Sequence, residues 1–90
     1  MNIRRAVGIA IDGSTAFITN AFYGTVEACS ISSGSSPPSL TSCTDARAGF
    51  NLPNEIAIDG TTAYIANGGN SSVIACAISG TNLNGCAIYR

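Results

Sequence analysis

Apolar residues in this chain come in short clusters separated by turn-forming residues. Ile9-Ala10-Ile11 and Ala16-Phe17-Ile18 flank Asp12-Gly13, and Ile56-Ala57-Ile58 and Ala63-Tyr64-Ile65 flank Asp59-Gly60. No stretch carries apolar residues at helical spacing, whereas β-branched runs bounded by Gly, Asn, Asp and Ser read as strands. The pattern predicts strands over 7–11, 16–19, 25–31 and 40–43, then over 55–58, 63–66, 72–78 and 83–88. The Asp-Gly pairs fall between the first and second strand of each set, where a tight hairpin needs residues that tolerate positive φ.

The two sets are copies of one unit. Residues 8–32 match residues 55–79 at 14 of 25 positions, at a constant offset of 47 and without a gap. The match resumes at Leu40 to Cys43 against Leu83 to Cys86 once four residues around Ser35, Ser36, Pro37 and Pro38 are treated as an insertion. Residues 1–47 thus form a first unit with its linker and residues 48–90 a second, a repeat length that points to solenoids, arrays or propellers. The first two strands of each unit are apolar on both faces rather than alternating, so each sheet should be covered on both sides. Neighbouring blades of a β-propeller provide that cover. The expected fold is all-β: two four-stranded antiparallel propeller blades per chain.

Two blades cannot enclose an axis, and their outer faces would leave apolar surface in water at roughly 25 cal/mol per Å². The ring is therefore expected to close by head-to-tail assembly of copies. The connection from Cys43 to Glu55 spans 12 positions, and so does the path from Cys86 to Arg90 and on from Met1 of another copy to its Gly8. Such a contact either closes into a ring or grows without end. Propellers carry roughly four to eight blades, and three chains with six blades is the favoured closure. A piece of a longer tandem protein would show the same phase.

Composition narrows the functions. The chain is 46% hydrophobic and 10% charged, with mean hydropathy +0.30, more apolar material than a small domain easily hides. No run approaches the about 20 apolar residues of a membrane span. Net charge is -1, with neither Lys nor His and only Arg4, Arg5, Arg47 and Arg90 as cations, so neither a nucleic acid nor a membrane is an expected partner. The apolar run after Arg4 and Arg5 is broken by Asp12-Gly13 and recurs at 56–60, so it reads as part of the fold rather than as a signal peptide.

With the repeat established, GIAIDGSTAFITN and LPNEIAIDGTTAYIAN, each followed by a strand with a Cys, resemble NHL-type and YncE-like propeller repeats. The likeness covers nearly the whole chain and implies the fold. It says little about function, since such families include protein-binding, nucleic-acid-binding and catalytic members. Glu55 stands where the pattern has Gly, and Ala6 where it has Pro.

Candidate chemistry is sparse. Cys29 and Cys76 fall on third strands and Cys43 and Cys86 on fourth strands, so each unit brings two cysteines near register. Two disulfides or two pairs of buried thiols both fit, and disulfides would imply an extracellular or periplasmic compartment. A zinc site lacks both Cys-x-x-Cys and His. A propeller layout gathers the loops 20–24 and 67–71 and the linker 44–55 around one end of the axis, where function concentrates in repeat folds. Asn20, Phe22, Tyr23, Asp45, Arg47, Asn67 and Asn70 are the ligand-binding candidates there. Phe22 and Tyr23 would form an aromatic wall facing an open floor at Gly68-Gly69-Asn70. Asn20 and Asn67 at the strand ends read as backbone caps ahead of ligands, and the aromatics equally suit an apolar lid. Pro53-Asn54-Glu55 resembles the metal-binding Pro-Asn-Gly segment of gluconolactonase-like propellers, which makes Asn54 and Glu55 candidate ligands for a hard cation such as calcium.

Without His there is no ordinary nucleophile pair, and two of the five carboxylates, Asp12 and Asp59, sit in turns. Glu27, opposite Ile74 in the repeat, is expected at an exposed blade edge. The expected function is a non-catalytic, self-assembling scaffold without a cofactor, presenting its loop face to a protein or small molecule. The alternatives are a two-blade trimeric lectin using Tyr23, Tyr64 or Tyr89, a metal-dependent lactonase-like hydrolase, and a propeller fragment with no selected function.

Overall fold

Every stretch expected to be a strand is one, and the chain is all-β. The computed structural model describes residues 5–34 and 36–90, and among them there is no helix. Strands β1 (Ala6–Asp12), β2 (Thr15–Asn20), β3 (Thr25–Ser32) and β4 (Ser39–Arg47) form one antiparallel meander. Strands β5 (Pro53–Asp59), β6 (Thr62–Asn67), β7 (Ser72–Ser79) and β8 (Asn82–Tyr89) form the other. Asp12 pairs with Thr15 and Asp59 with Thr62, so Gly13 (φ +58°) and Gly60 (φ +62°) each open a two-residue loop. Both occupy the left-handed region that the Asp-Gly pairs led one to expect.

The repeat persists in backbone detail. Equivalent register shifts lie between Ala6 and Ile9 in β1 and between Pro53 and Ile56 in β5, and again at Ala28/Ser30 and Ala75/Ala77. Arg5 (φ +59°) and Leu52 (φ +48°) occupy the left-handed region at matching positions, as do Gly24 (φ +68°) and Ser71 (φ +55°). The Ala28/Ser30 and Ala75/Ala77 shifts each carry a disulfide. Cys29 is bonded to Cys43 with Cα atoms 4.0 Å apart, and Cys76 to Cys86 at 4.1 Å. All four cysteines are therefore paired.

The expectation differs most at β4, which continues to Arg47 rather than ending at Cys43. Asp45 and Arg47 consequently lie in a strand and not in the linker. Thr41, Ser42 and Thr44 make this edge strand so polar that it reads as a loop. β4 also lies at the sheet edge, where little burial is demanded of it.

The two sheets stack face to face, β1 and β2 against β5 and β4 against β8. Phe17, Val26, Ala28 and Ala46 of the first sheet meet Ile56, Ile65, Ile74 and Leu83 of the second in one buried cluster. Cross-strand register identifies the faces involved. In the first sheet Ala10, Phe17 and Ala28 are aligned and look inward. In the second, the matching residues Ala57, Tyr64 and Ala75 look outward, while Ile56, Ile65 and Ile74 look inward. The internal contact therefore joins unlike faces of the repeated unit.

Its inner edge is closely built. A Cβ on Gly8 would stand 2.7 Å from the Asn54 carbonyl oxygen, so only glycine lets the strands approach this far. Thr19 ties the edge together: its Oγ1 accepts from the Gly8 N–H at 2.8 Å and its hydroxyl donates to the Asn54 carbonyl.

Candidate functional site

The loops between second and third strands and the linker between sheets meet at one end of the stack. The Phe50 N–H donates to the Gly24 carbonyl at 2.9 Å, and the Gly68 and Gly69 N–H groups donate to the Leu52 and Asn51 carbonyls at 3.0 and 2.9 Å. The matching bond in the first unit runs from the Ala21 N–H to the Arg5 carbonyl at 3.1 Å. Between the sheets at this end lies a cleft of about 330 Å³, lined by Arg5, Val7 and Ala21 on one side and by Pro53, Asn54 and Gly68 on the other.

The candidate ligand-binding residues divide into three groups. Asn67 is buried and its Oδ1 accepts from the Asn51 N–H at 2.7 Å, while Asn70 Oδ1 accepts from the Ser72 hydroxyl at 2.6 Å. Both side chains thus hold the loop. Asn20, the counterpart of Asn67, is fully buried as well. Phe22 and Tyr23 project from the β2–β3 loop, 57% and 50% exposed, with ring centroids 5.4 Å apart in an edge-to-face arrangement. Asp45 and Arg47 lie on the outermost strand β4, with Arg47 in register with Val26 near the same end, and the Arg47 guanidinium donates to the Leu83 carbonyl at 3.4 Å across the two sheets. The floor expected to be open at Gly68-Gly69-Asn70 is filled by Asn51, whose Oδ1 occupies the space a Gly69 Cβ would need.

Asn54 and Glu55 are exposed at the start of β5. The Asn54 backbone carbonyl is already committed to Thr19. Among the described residues no group of three His, Cys, Asp or Glu side chains converges as a metal site would require.

The most perturbed group is one the sequence reading placed wrongly. Glu27 is 2% exposed, not at an open edge. It pairs with Ile18 on β2 and with Asp45 on β4, on the face of the first sheet turned away from the second. Burial, then a hydrogen bond to the Asp45 carboxylate and repulsion by its charge, push the Glu27 carboxyl up to about 7. Its Oε2 has no hydrogen-bond partner among the described residues, so the neutral acid is the form this environment favours.

Two features carrying the architecture, the Thr19 tie and the Glu27–Asp45 pair, were not singled out from sequence. A signal existed for Thr19, which stands opposite Ala66 in the repeat, whereas the contrast of Glu27 with Ile74 pointed to an exposed edge.

No family model, curated protein or solved structure matches the chain. The class the fold defines is accordingly a duplicated β-meander with two stacked, disulfide-tied sheets.

Proposed function

We propose that this chain is a two-blade unit of a β-propeller that assembles head to tail with copies of itself, three chains making six blades. The ring serves as a non-catalytic scaffold presenting its loop end to a protein or small molecule. One observation carries the reading: the internal contact joins unlike faces, which leaves one face of each kind at the two ends of the stack. The outward face of the second sheet shows Tyr64 and Val73, 43% and 41% exposed, beside a shallow apolar hollow that includes Ala57 and Ala66. The outward face of the first sheet shows Val7, Ile9 and Ile11 of β1, 48%, 59% and 55% exposed, whereas Ile18 and Glu27 on the same face are already buried. These residues are the counterparts of those that meet inside the chain, so the same packing step, repeated between copies, covers both faces. The resemblance to NHL-type and YncE-like repeats supports the same arrangement, and the two disulfides fit an extracellular or periplasmic setting. Native mass spectrometry and light scattering test it: a species of three times the 9.1 kDa chain mass is expected. A chain that stays single at all accessible concentrations overturns it.

Glycan recognition is the second reading, favoured by the exposed Phe22–Tyr23 pair at the loop end. Binding on a glycan array that disappears with Tyr23→Ala would select it. An array with no signal above background removes it.

A further inference from the structure

We propose that an ion pair between Glu55 of one copy and Arg5 of the next sets the direction and register of the seam between chains. The inference rests on the head-to-tail reading above. Within the chain, position 8 of the first sheet abuts the Asn54 carbonyl and the Glu55 Cα of the second. Moving that contact by the repeat offset of 47 places Glu55 of one copy against Val7 and Gly8 of the next.

The translation holds residue by residue at this edge. Arg5 and Leu52 are equivalent, share a left-handed backbone, and use their carbonyls in the same bond to the following β2–β3 or β6–β7 loop. In the chain, Leu52 lines the same cleft as Val7. In the seam, Arg5 of the next copy lines the equivalent cleft with Asn54, directly beside Glu55. Glu55 and Arg5 are both exposed, and neither has an ion-pair partner among the described residues.

The seam is not a copy of the internal contact. Glu55 brings a Cβ where Gly8 has none, and unchanged packing would set it 2.7 Å from the Val7 carbonyl oxygen of the next copy. Ala66 replaces Thr19 and supplies no hydroxyl tie. The inner strands at the seam therefore stand further apart than β1 and β5, and two long side chains of opposite charge occupy the opening. Packing through like faces would instead oppose Glu55 to Glu55 or Arg5 to Arg5, which disfavours the reversed arrangement.

A charge-swap cycle tests the pair. Glu55→Arg and Arg5→Glu are each expected to weaken assembly about tenfold or more, and the double variant to restore it to within about threefold. Dissociation constants come from sedimentation equilibrium, and far-UV circular dichroism verifies folding. Added salt should weaken the wild-type assembly. If a swapped chain misfolds, Glu55→Gln and Arg5→Gln serve in its place and should both flatten the salt dependence. Wild-type assembly with singly swapped chains that associate equally well, or a double variant no better than the singles, overturns the ion pair alone. A wild-type chain that never assembles overturns the head-to-tail reading itself.

Discussion

Titrating Glu27 should move the stability of the isolated chain in the direction opposite to that of an ordinary salt-bridged carboxylate. Its carboxyl is raised from an ordinary 4.5 to about 7, first by burial and then by Asp45. The folded state therefore holds a proton that the unfolded chain releases above pH 4.5. Stability from this group is fully present below pH 4.5, falls as pH rises, and is lost once pH passes about 7. At about 1.4 kcal/mol for each pH unit, the ceiling on the loss is about 3 kcal/mol. With a urea slope of about 1 kcal/mol per M for a chain this size, the unfolding midpoint should drop by about 2–3 M between pH 4.5 and 8. The measurement is urea unfolding followed by circular dichroism, with disulfides intact and protein dilute enough to prevent assembly. Glu27→Gln should flatten the profile, and Glu27→Ile, which copies Ile74, should flatten it at higher stability. Stability that instead climbs with pH over this window, or a Glu27→Gln chain that keeps the wild-type slope, refutes the assignment of the buried proton.

The internal contact gives further tests. Gly8→Ala should cost about 1–3 kcal/mol, because its Cβ would meet backbone at the Asn54 carbonyl and not a side chain able to move aside. Chemical denaturation reads that loss. Thr19→Val removes the tie from Gly8 N–H and to the Asn54 carbonyl and should cost about 1–3 kcal/mol by the same assay, while Ala66→Val leaves the tie in place. Reduction of both disulfides, with sequence separations of 14 and 10, should lower the thermal midpoint steeply, since loops this size are worth about 3 kcal/mol each. Scanning calorimetry with and without reductant decides it.

The legible parts of the fold were those written locally. Asp12-Gly13 and Asp59-Gly60 announce their turns because few residues accept the positive φ, and cysteines at 29/43 and 76/86 fall into register as soon as the hairpins are drawn. What stayed hidden depended on the other sheet or on the other face. Glu27 reads as exposed because charged side chains are rarely buried, and only its register with Ile18 and Asp45 reveals its surroundings. Asn67 was legible as a cap, but its partner, the Asn51 N–H, lies across a loop whose path no periodicity predicts.

The identity of the two faces was illegible for a different reason, since both are apolar and one-dimensional pattern cannot tell them apart. Once they are told apart, the positions at which the copies differ acquire a meaning. Gly8, Phe17 and Thr19 belong to the internal contact, and their counterparts Glu55, Tyr64 and Ala66 lie on the surface left uncovered. Ile74 belongs to the internal contact too, and its counterpart Glu27 lies on the opposite outward face. Duplication of a unit that packs through unlike faces always yields one covered contact and two complementary uncovered faces. Divergence after duplication is then free to tighten the first through glycine and a hydroxyl, and to place the charge of Glu55 on an uncovered face, where charge distinguishes a correct neighbour from a wrong one.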